Sequence, residues 1–134
     1  MHLDLTVFGN AVARLREAMA VYARDPSQTL IRDGLIQRFE FTYELSHKVL
    51  KRALAAASPS PEQFDRMPFA DLIRAGSAQG MLRSDWARWR QFREMRGRTS
   101  HTYDEAIALE VVAGIGDFLA EAEYLRDRLR DLDA

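Results

Sequence analysis

The chain has 134 residues, of which 47% are hydrophobic and 29% charged, and its formal net charge is −1 at pH 7. These values predict one soluble domain over residues 1–134 with a real hydrophobic core, and they give no bulk positive charge that would argue for nucleic-acid binding. The chain has no Cys, which excludes disulfides and thiolate metal sites, and no apolar run reaches the roughly 18 residues of a membrane span, so we expect a cytoplasmic protein that does not enter membranes.

Two long helices are predicted in the first part of the chain. Residues 5–22 carry apolar side chains at alternating spacings of three and four, which indicates one seam on an amphipathic helix. The sequence Asp25-Pro26-Ser27 is expected to end it. Residues 28–57 carry apolar side chains on more than one face, so we predict a central helix that neighbours cover on several sides.

A short helix and two more long helices are predicted in the rest of the chain. Ser60 is the expected N-cap of the first turn after the central helix, and the short helix follows around residues 68–76, with Gly76 and Gly80 in the loop after it. Ser84 is expected to cap the next long helix. Residues 102–105, Thr-x-x-Glu, are expected to open the last helix as a capping box.

The last helix repeats apolar residues at spacings of three and four from Ile107 to Leu132. Gly114 and Gly116 lie inside it, and because glycine lowers helix stability we expect another helix to approach closely there. No strand or internal repeat is predicted. The fold class is therefore all-α, an antiparallel bundle of four long helices and one short helix.

The joint between the last two helices, MRGRTSHTYDE at residues 95–105, holds the best candidates for chemistry. Arg96 is predicted to close one helix and His101 to stand just before the next, so that both side chains point into one cleft. A His exchanges protons near neutral pH, and an Arg presents a planar, charged fork to phosphate oxygens. The alternative is that His101 is a capping or loop residue without a chemical role.

Cleavage of RNA fits such a pair, because RNA carries its own nucleophile in the 2′-hydroxyl. The reaction then needs a base, an acid and a phosphate clamp, and no metal or cofactor. One His cannot easily act on both sides of the phosphorus. We therefore predict a homodimer that brings two joints together. The contact is expected through the helix predicted after Ser84, which is rich in Arg, or through the helix of Gly114 and Gly116.

Residues 83–98 are strongly basic, with six Arg against two acids, and two Trp lie among them. A basic helix with aromatic residues can follow a phosphate backbone and stack bases, and Arg90, Arg93 and Arg98 are the candidates for RNA or nucleotide binding. The alternative is that the Trp side chains belong to the core, as their helical spacing indicates, and that several Arg are solvated. Arg is also the common basic residue throughout the chain, since Lys48 and Lys51 are the only Lys among 19 basic residues.

Three segments together resemble the HEPN superfamily, and more narrowly the small nucleotidyltransferase substrate-binding proteins. They are RDGLIQRFEFTYELSHKVLKRAL at residues 32–54, Trp86, and REMRGRTSHTYDEAIA at residues 93–108. The resemblance implies a dimeric helical bundle with the Arg-x4-His motif in a cleft between subunits. It also implies a metal-independent endoribonuclease toxin, which a minimal nucleotidyltransferase antitoxin neutralises by adding AMP to a Tyr.

Carried onto this chain, the resemblance assigns Arg96 and His101 to the catalytic pair and Tyr103 to the modified residue. The family usually has a polar residue after the Arg, most often Asn, and this chain has Gly97, so an amide that orients the His or a phosphate is missing. Two alternatives remain at this point. The protein is a non-catalytic subunit that binds substrate or nucleotide for a nucleotidyltransferase, or it is a helical interaction module with an inactive site.

Overall fold

The computed structural model describes residues 3–133, and within them the chain forms five α-helices and no strand. The helices are α1 (Thr6–Arg24), α2 (Thr29–Ala56), α3 (Phe69–Ala78), α4 (Trp86–Arg98) and α5 (Glu105–Asp133). Two 3-10 turns, Pro61–Phe64 and Thr99–His101, lie in the connections before α3 and α5. The predicted all-α class, with four long helices and a short one, is confirmed.

Contacts between side chains fix the directions of the helices. Thr42 donates to the carbonyl of Ala11 and Arg38 to that of Arg14, so α1 runs antiparallel to α2. Arg16 binds Glu123 and Gly9 lies beside Arg130, so α1 also runs antiparallel to α5. The last turn of α4 meets the start of α5 where Arg98 pairs with Glu110. The bundle is therefore up-and-down, and α2 and α5 lie across the core from each other with their N-terminal ends at the same end of the molecule.

Aromatic rings occupy the centre of the bundle. Phe39 of α2 meets Phe118 of α5 edge-on at 5.1 Å between ring centroids, and Trp89 and Phe92 of α4 pack on the same cluster. Trp89 is 1% exposed, and Trp86 packs partly buried against the core. The core interpretation of the two Trp is therefore confirmed, and neither side chain is presented as a platform for bases.

The helix ends depart from the sequence predictions by one or two residues. Asp85, and not Ser84, caps α4, because its carboxylate accepts from the backbone N–H of Ala87 at 3.1 Å. The prediction of a capping box at residues 102–105 is also wrong. The chain continues in the 3-10 turn through His101, so α5 begins later, and Asp104 accepts from the N–H of Ile107 at 3.2 Å.

The glycines of α3 and α5 have structural roles at close contacts. Gly76 lies inside α3, not in the loop after it, and Gly80 has a φ of 73° where the chain leaves the helix. The N–H of Met81 then donates to the carbonyl of Gly76, as in a Schellman motif. A Cβ on Gly114 would stand 2.5 Å from Met95 Sδ, so the predicted close approach of another helix is confirmed there, and that helix is α4 of the same chain.

None of the helices described within residues 3–133 contains an apolar stretch of the length that a bilayer span requires.

Candidate functional site

The predicted end of the fourth helix at Arg96 is wrong by two residues, because the helix continues to Arg98. α4 ends at Arg98, the 3-10 turn Thr99–His101 follows, and α5 begins at Glu105. Thr99 is buried and its hydroxyl donates to the carbonyl of Arg96 at 2.7 Å, which closes the last turn of α4. This turn lies in the joint, residues 95–105. The joint places Arg96 in the last turn of α4 and His101 at the end of the 3-10 turn.

The guanidinium of Arg96 is bound by two carboxylates of α2. Its Nη2 lies 2.9 Å and its Nε 3.1 Å from Glu44 Oε1, and its Nη1 lies 3.6 Å from Glu40 Oε2. Nη1 also donates to the Thr99 hydroxyl at 2.9 Å. The side chain is one third exposed. Arg96 is therefore oriented along α2, and a phosphate group would have to share its fork with Glu44.

The other end of the joint is also held by α2. Arg32 is buried, and both of its terminal nitrogens bind the Glu105 carboxylate, at 2.7 and 2.8 Å. These hydrogen bonds lower the pKa of Glu105 and raise the pKa of Arg32. The first residue of α5 is therefore fixed by a bidentate ion pair to the first turn of α2.

His101 and Tyr103 lie on the surface and contact each other. His101 Nδ1 is 3.3 Å from Tyr103 Oη, and the two rings meet edge-on at 6.0 Å between centroids. Tyr103 is 86% exposed, the highest value among the large hydrophobic side chains of residues 3–133. Both the imidazole and the phenol are open to a substrate or a partner enzyme.

The structure does not place Arg96 and His101 in direct contact. Among the described residues no hydrogen bond joins the two side chains, and the cleft beside Arg96 is lined by α2 and not by His101. The joint thus presents two groups, Arg96 with the acids of α2 and His101 with Tyr103. A substrate that used both would lie across the joint.

The positive charge counted along residues 83–98 is largely paired in the fold. Arg88 binds Asp117 at 3.3 Å, Arg90 lies 3.4 Å from Glu94, and Arg98 pairs with Glu110. Arg93 instead places its guanidinium 5.9 Å from the centre of the Phe69 ring. Arg90 and Arg98 thus lie in exposed ion pairs and Arg93 lies over an aromatic ring, so an RNA strand would compete with these partners for the three guanidinium groups.

The second described His is part of the packing between α2 and α3. His47 is half-buried and meets the Phe69 ring edge-on at 4.7 Å. Burial lowers its pKa, and the positive charge of Lys51 acts in the same direction. Burial also raises the pKa of the neighbouring Tyr43 to about 12. Both rings are therefore neutral at pH 7, and His101 is the more exposed of the two His among residues 3–133.

Glu40 and Glu44, which hold Arg96, were not predicted from the sequence. Their signal is a pair of acids at positions i and i+4 in an otherwise apolar stretch, FEFTYEL, which places both carboxylates on one face of α2. Arg32, a buried charge that needs a partner, was not predicted either. Both signals identify candidates, but neither names the residue that they bind.

Comparisons with known proteins agree with this architecture. A family profile described as "Nucleotidyltransferase substrate binding protein like" matches residues 3–131. The chain is 34% identical to a Haemophilus influenzae protein whose structure is described as the fold of a substrate binding domain of a nucleotidyltransferase. That likeness has a TM-score of 0.88 and covers 95% of this chain and 99% of the other.

Two further relatives extend the comparison. A crystal structure from Thermus thermophilus is similar with a TM-score of 0.75 and 30% identity, over 92% of this chain and 98% of that one. A protein from Haemophilus influenzae named "Probable ribonuclease HepT" is 41% identical over 97 residues, which is 72% of this chain. That match spans 66% of the relative's own length, slightly less than two thirds of it.

Proposed function

Because the chain belongs to the family described as nucleotidyltransferase substrate binding protein like, we propose that it is a HEPN-type endoribonuclease whose site is the joint between α4 and α5. The observation that carries the proposal is the exposed His101 at the end of the 3-10 turn that follows α4, with Arg96 in the last turn of that helix. The likeness to a probable ribonuclease HepT supports it. In this proposal the protein is a cytoplasmic toxin, and a minimal nucleotidyltransferase is its antitoxin.

The proposed chemistry uses the RNA's own 2′-hydroxyl as nucleophile. His101 takes the proton of that hydroxyl while its oxygen attacks the neighbouring phosphorus, and the bond from phosphorus to the 5′-oxygen breaks. The 5′-oxygen leaves with a proton from a second acid, and the product is a 2′,3′-cyclic phosphate. Arg96 stabilises the charge that develops on the phosphate oxygens, and no metal enters these steps.

A second copy of the chain is the proposed source of the second acid. The other His among residues 3–133 is His47, which is half-buried and packed against Phe69, whereas His101 is exposed. A symmetric homodimer that faced two joints towards each other would supply one His101 as base and the other as acid. Arg90, Arg93 and Arg98 would then border the RNA path after exchanging their present carboxylate or ring partners for phosphates.

Cleavage in the presence of EDTA is the direct test. Wild-type protein is expected to cut single-stranded RNA and to leave cyclic phosphates. His101→Ala and Arg96→Ala are expected to lower kcat/KM by roughly 100-fold or more, because each removes a group from the transition state. His47→Gln and Arg74→Ala are matched controls that should keep activity, since one packs against Phe69 and the other pairs with Asp71 on the surface. Cutting that persists in His101→Ala would contradict the assignment.

Gly97 gives a second variant for the same assay. A Cβ at this position would meet nothing within 4 Å, so a larger side chain fits without strain. Gly97→Asn supplies the amide that the family usually has there, and it is expected to raise cleavage. If neither wild type nor Gly97→Asn cuts any RNA, the nuclease proposal is wrong.

Neutralisation is proposed to act through Tyr103, whose hydroxyl is exposed and lies 3.3 Å from the His101 ring. Transfer of AMP from ATP to Tyr103 Oη, with release of pyrophosphate, would place a phosphodiester and a purine beside His101. Incubation with an active minimal nucleotidyltransferase and ATP is expected to add one or more AMP units, located on Tyr103 by tandem mass spectrometry. Tyr103→Phe should fold normally and stay unmodified. An unchanged intact mass, or a label elsewhere, would remove Tyr103 from the mechanism.

The second candidate function is a subunit that binds nucleotide or substrate without cutting it. The fixed position of Arg96 favours it, because Glu44 and Glu40 hold the guanidinium in the free protein. Nucleotide binding without cleavage, abolished in Arg96→Ala, would support this function. A protein that neither cuts nor binds would be a helical interaction module with an inactive site.

A further inference from the structure

A cleft of about 500 Å³ lies between α2 and the end of α4, beside Arg96. Its volume falls in the range of roughly 300–1,000 Å³ that small-ligand sites occupy. One face of α2 forms its floor, with Gln37, Glu40, Glu44 and Lys48 at helical spacing. The cleft is thus continuous with the proposed phosphate-binding group and has its own set of polar side chains.

The two acids of the cleft each keep one oxygen free for a ligand. Glu44 uses Oε1 for Arg96, and Glu40 turns Oε2 towards the same guanidinium. Within residues 3–133 the other two oxygens, Glu44 Oε2 and Glu40 Oε1, accept no hydrogen bond from the protein. Glu40 and Glu44 lie one helical turn apart on α2, and Arg96 contacts both carboxylates, Glu44 through hydrogen bonds and Glu40 through an ion pair at 3.6 Å.

An aromatic ring lies between these acids in sequence and lines the same cleft. Phe41 is 37% exposed, which is high for a large apolar side chain, and Leu45 adjoins it one turn further along α2. An exposed ring next to anionic acceptors suits a planar ligand whose face stacks and whose edge donates hydrogen bonds.

We propose that this cleft binds the guanine base of the nucleotide that adjoins the scissile phosphate. Guanine presents two neighbouring donors, N1–H and the N2 amino group, on one edge, and the two oxygens of a single carboxylate match them. Glu40 is the acceptor in this proposal, because Arg96 lies 3.6 Å from its Oε2 and makes no hydrogen bond to it. Adenine and cytosine each offer one amino group beside an acceptor, and uracil offers one N–H between two acceptors, which carboxylates repel. The proposal rests on the proposed ribonuclease function and adds a base specificity to it.

Equilibrium binding tests the proposal without requiring cleavage. The probes are fluorescent oligouridines with 2′-O-methyl groups, which cannot be cut, and each carries G, inosine, A, C or U at one central position. Wild-type protein is expected to bind the G probe roughly tenfold more tightly than the A probe, as for hydrogen bonds to charged groups. Inosine lacks the N2 amino group and should lose most of that preference.

Three variants separate the contributions of the cleft. Glu40→Gln is expected to reduce the ratio of G to A affinity, because it replaces a carboxylate oxygen by an amide. Phe41→Leu should weaken the binding of all five probes by a similar factor, since stacking does not depend on base identity. Glu17→Gln makes the same charge change in a different groove, between α1 and α2, and should leave both values unchanged. Circular dichroism confirms that each variant is folded.

The outcomes distinguish this inference from the proposed nuclease. Equal affinity for all five probes, or a G preference that survives Glu40→Gln, would overturn the guanine site. Cleavage of RNA with no preference for guanine at the cut would overturn it too, while leaving the nuclease in place. A G preference without cleavage of any RNA would support the guanine site and contradict the nuclease.

Discussion

Glu121 is an unusual residue of this fold, because its carboxylate is buried. It lies in α5 with 2% of its surface exposed, and neither oxygen has a hydrogen-bond partner within the described residues. A buried polar group without partners opposes folding, because water that it binds in the unfolded chain is lost. Neither the joint nor the guanine cleft uses it.

Glu121→Leu is therefore expected to stabilise the protein. The change removes the unpartnered carboxylate and keeps a similar volume, and we expect the free energy of unfolding to rise by about 1–2 kcal/mol. Urea denaturation measures this value. Glu17→Leu is the matched control on the exposed face of α1, where the change should be within about 0.5 kcal/mol. A destabilised Glu121→Leu protein would show that the carboxylate has a partner in solution.

At the scale of the helices, two glycines in similar backbone conformations have opposite surroundings. A Cβ on Gly76 of α3 would stand 2.9 Å from Leu50 Cδ1 and 3.1 Å from Leu82 Cδ1, and both Leu side chains are buried. A Cβ on Gly34 of α2 would meet nothing within 4 Å. Packing therefore requires glycine at position 76 and not at position 34.

Alanine at each position should then change stability in opposite directions. Gly76→Ala forces α3 away from α2 and is expected to cost about 1–3 kcal/mol. Gly34→Ala gains helix propensity without a clash and should stabilise by up to about 1 kcal/mol. Thermal unfolding of the two variants beside wild type measures both effects. Equal shifts for the two variants would mean that α3 can move without cost.

The helices themselves were predictable, because their breaks are marked by Asp25-Pro26-Ser27, by the segment around Pro61, and by the joint. The residues that cap the helices were harder to predict. Ser84 and Asp85 can both cap a helix, and so can Thr102 and Asp104, so the backbone of the preceding turn decides between them. The partners of Arg96 could not be predicted at all, since Glu44 is 52 positions away and meets it only after α2 and α4 pack.

At the scale of the whole molecule, the homodimer remains a prediction. The side chain that closely approaches Gly114 is Met95 of the same chain, so this glycine is not evidence for a second copy. The proposed cleavage still favours two copies, because it needs a base and an acid, and His101 is the one exposed His among residues 3–133. The surface that would join the copies must therefore leave both His101 rings facing one cleft.

Mixing of subunits tests whether two copies share a site. Wild type and His101→Ala are unfolded together and refolded in varied proportions. If one site needs both copies, activity falls as the square of the wild-type fraction, because mixed dimers are inactive. Dilution with the Glu17→Gln protein should leave activity unchanged. A linear decrease with His101→Ala, or a strict monomer in light scattering at micromolar concentration, would contradict the shared site.

Two contacts hold the joint to α2, and together they limit where residues can be inserted or deleted in this protein. Arg32 holds one end and Glu44 the other, so the spacing of twelve residues along α2 sets a span of about 18 Å. Removing or adding one residue between them turns Glu44 by about 100° around the helix relative to Arg32. Either Arg32 or Glu44 would then face away from the joint. Insertions and deletions should therefore be absent from residues 33–43 in functional variants, whereas the loop at residues 57–68 can vary in length.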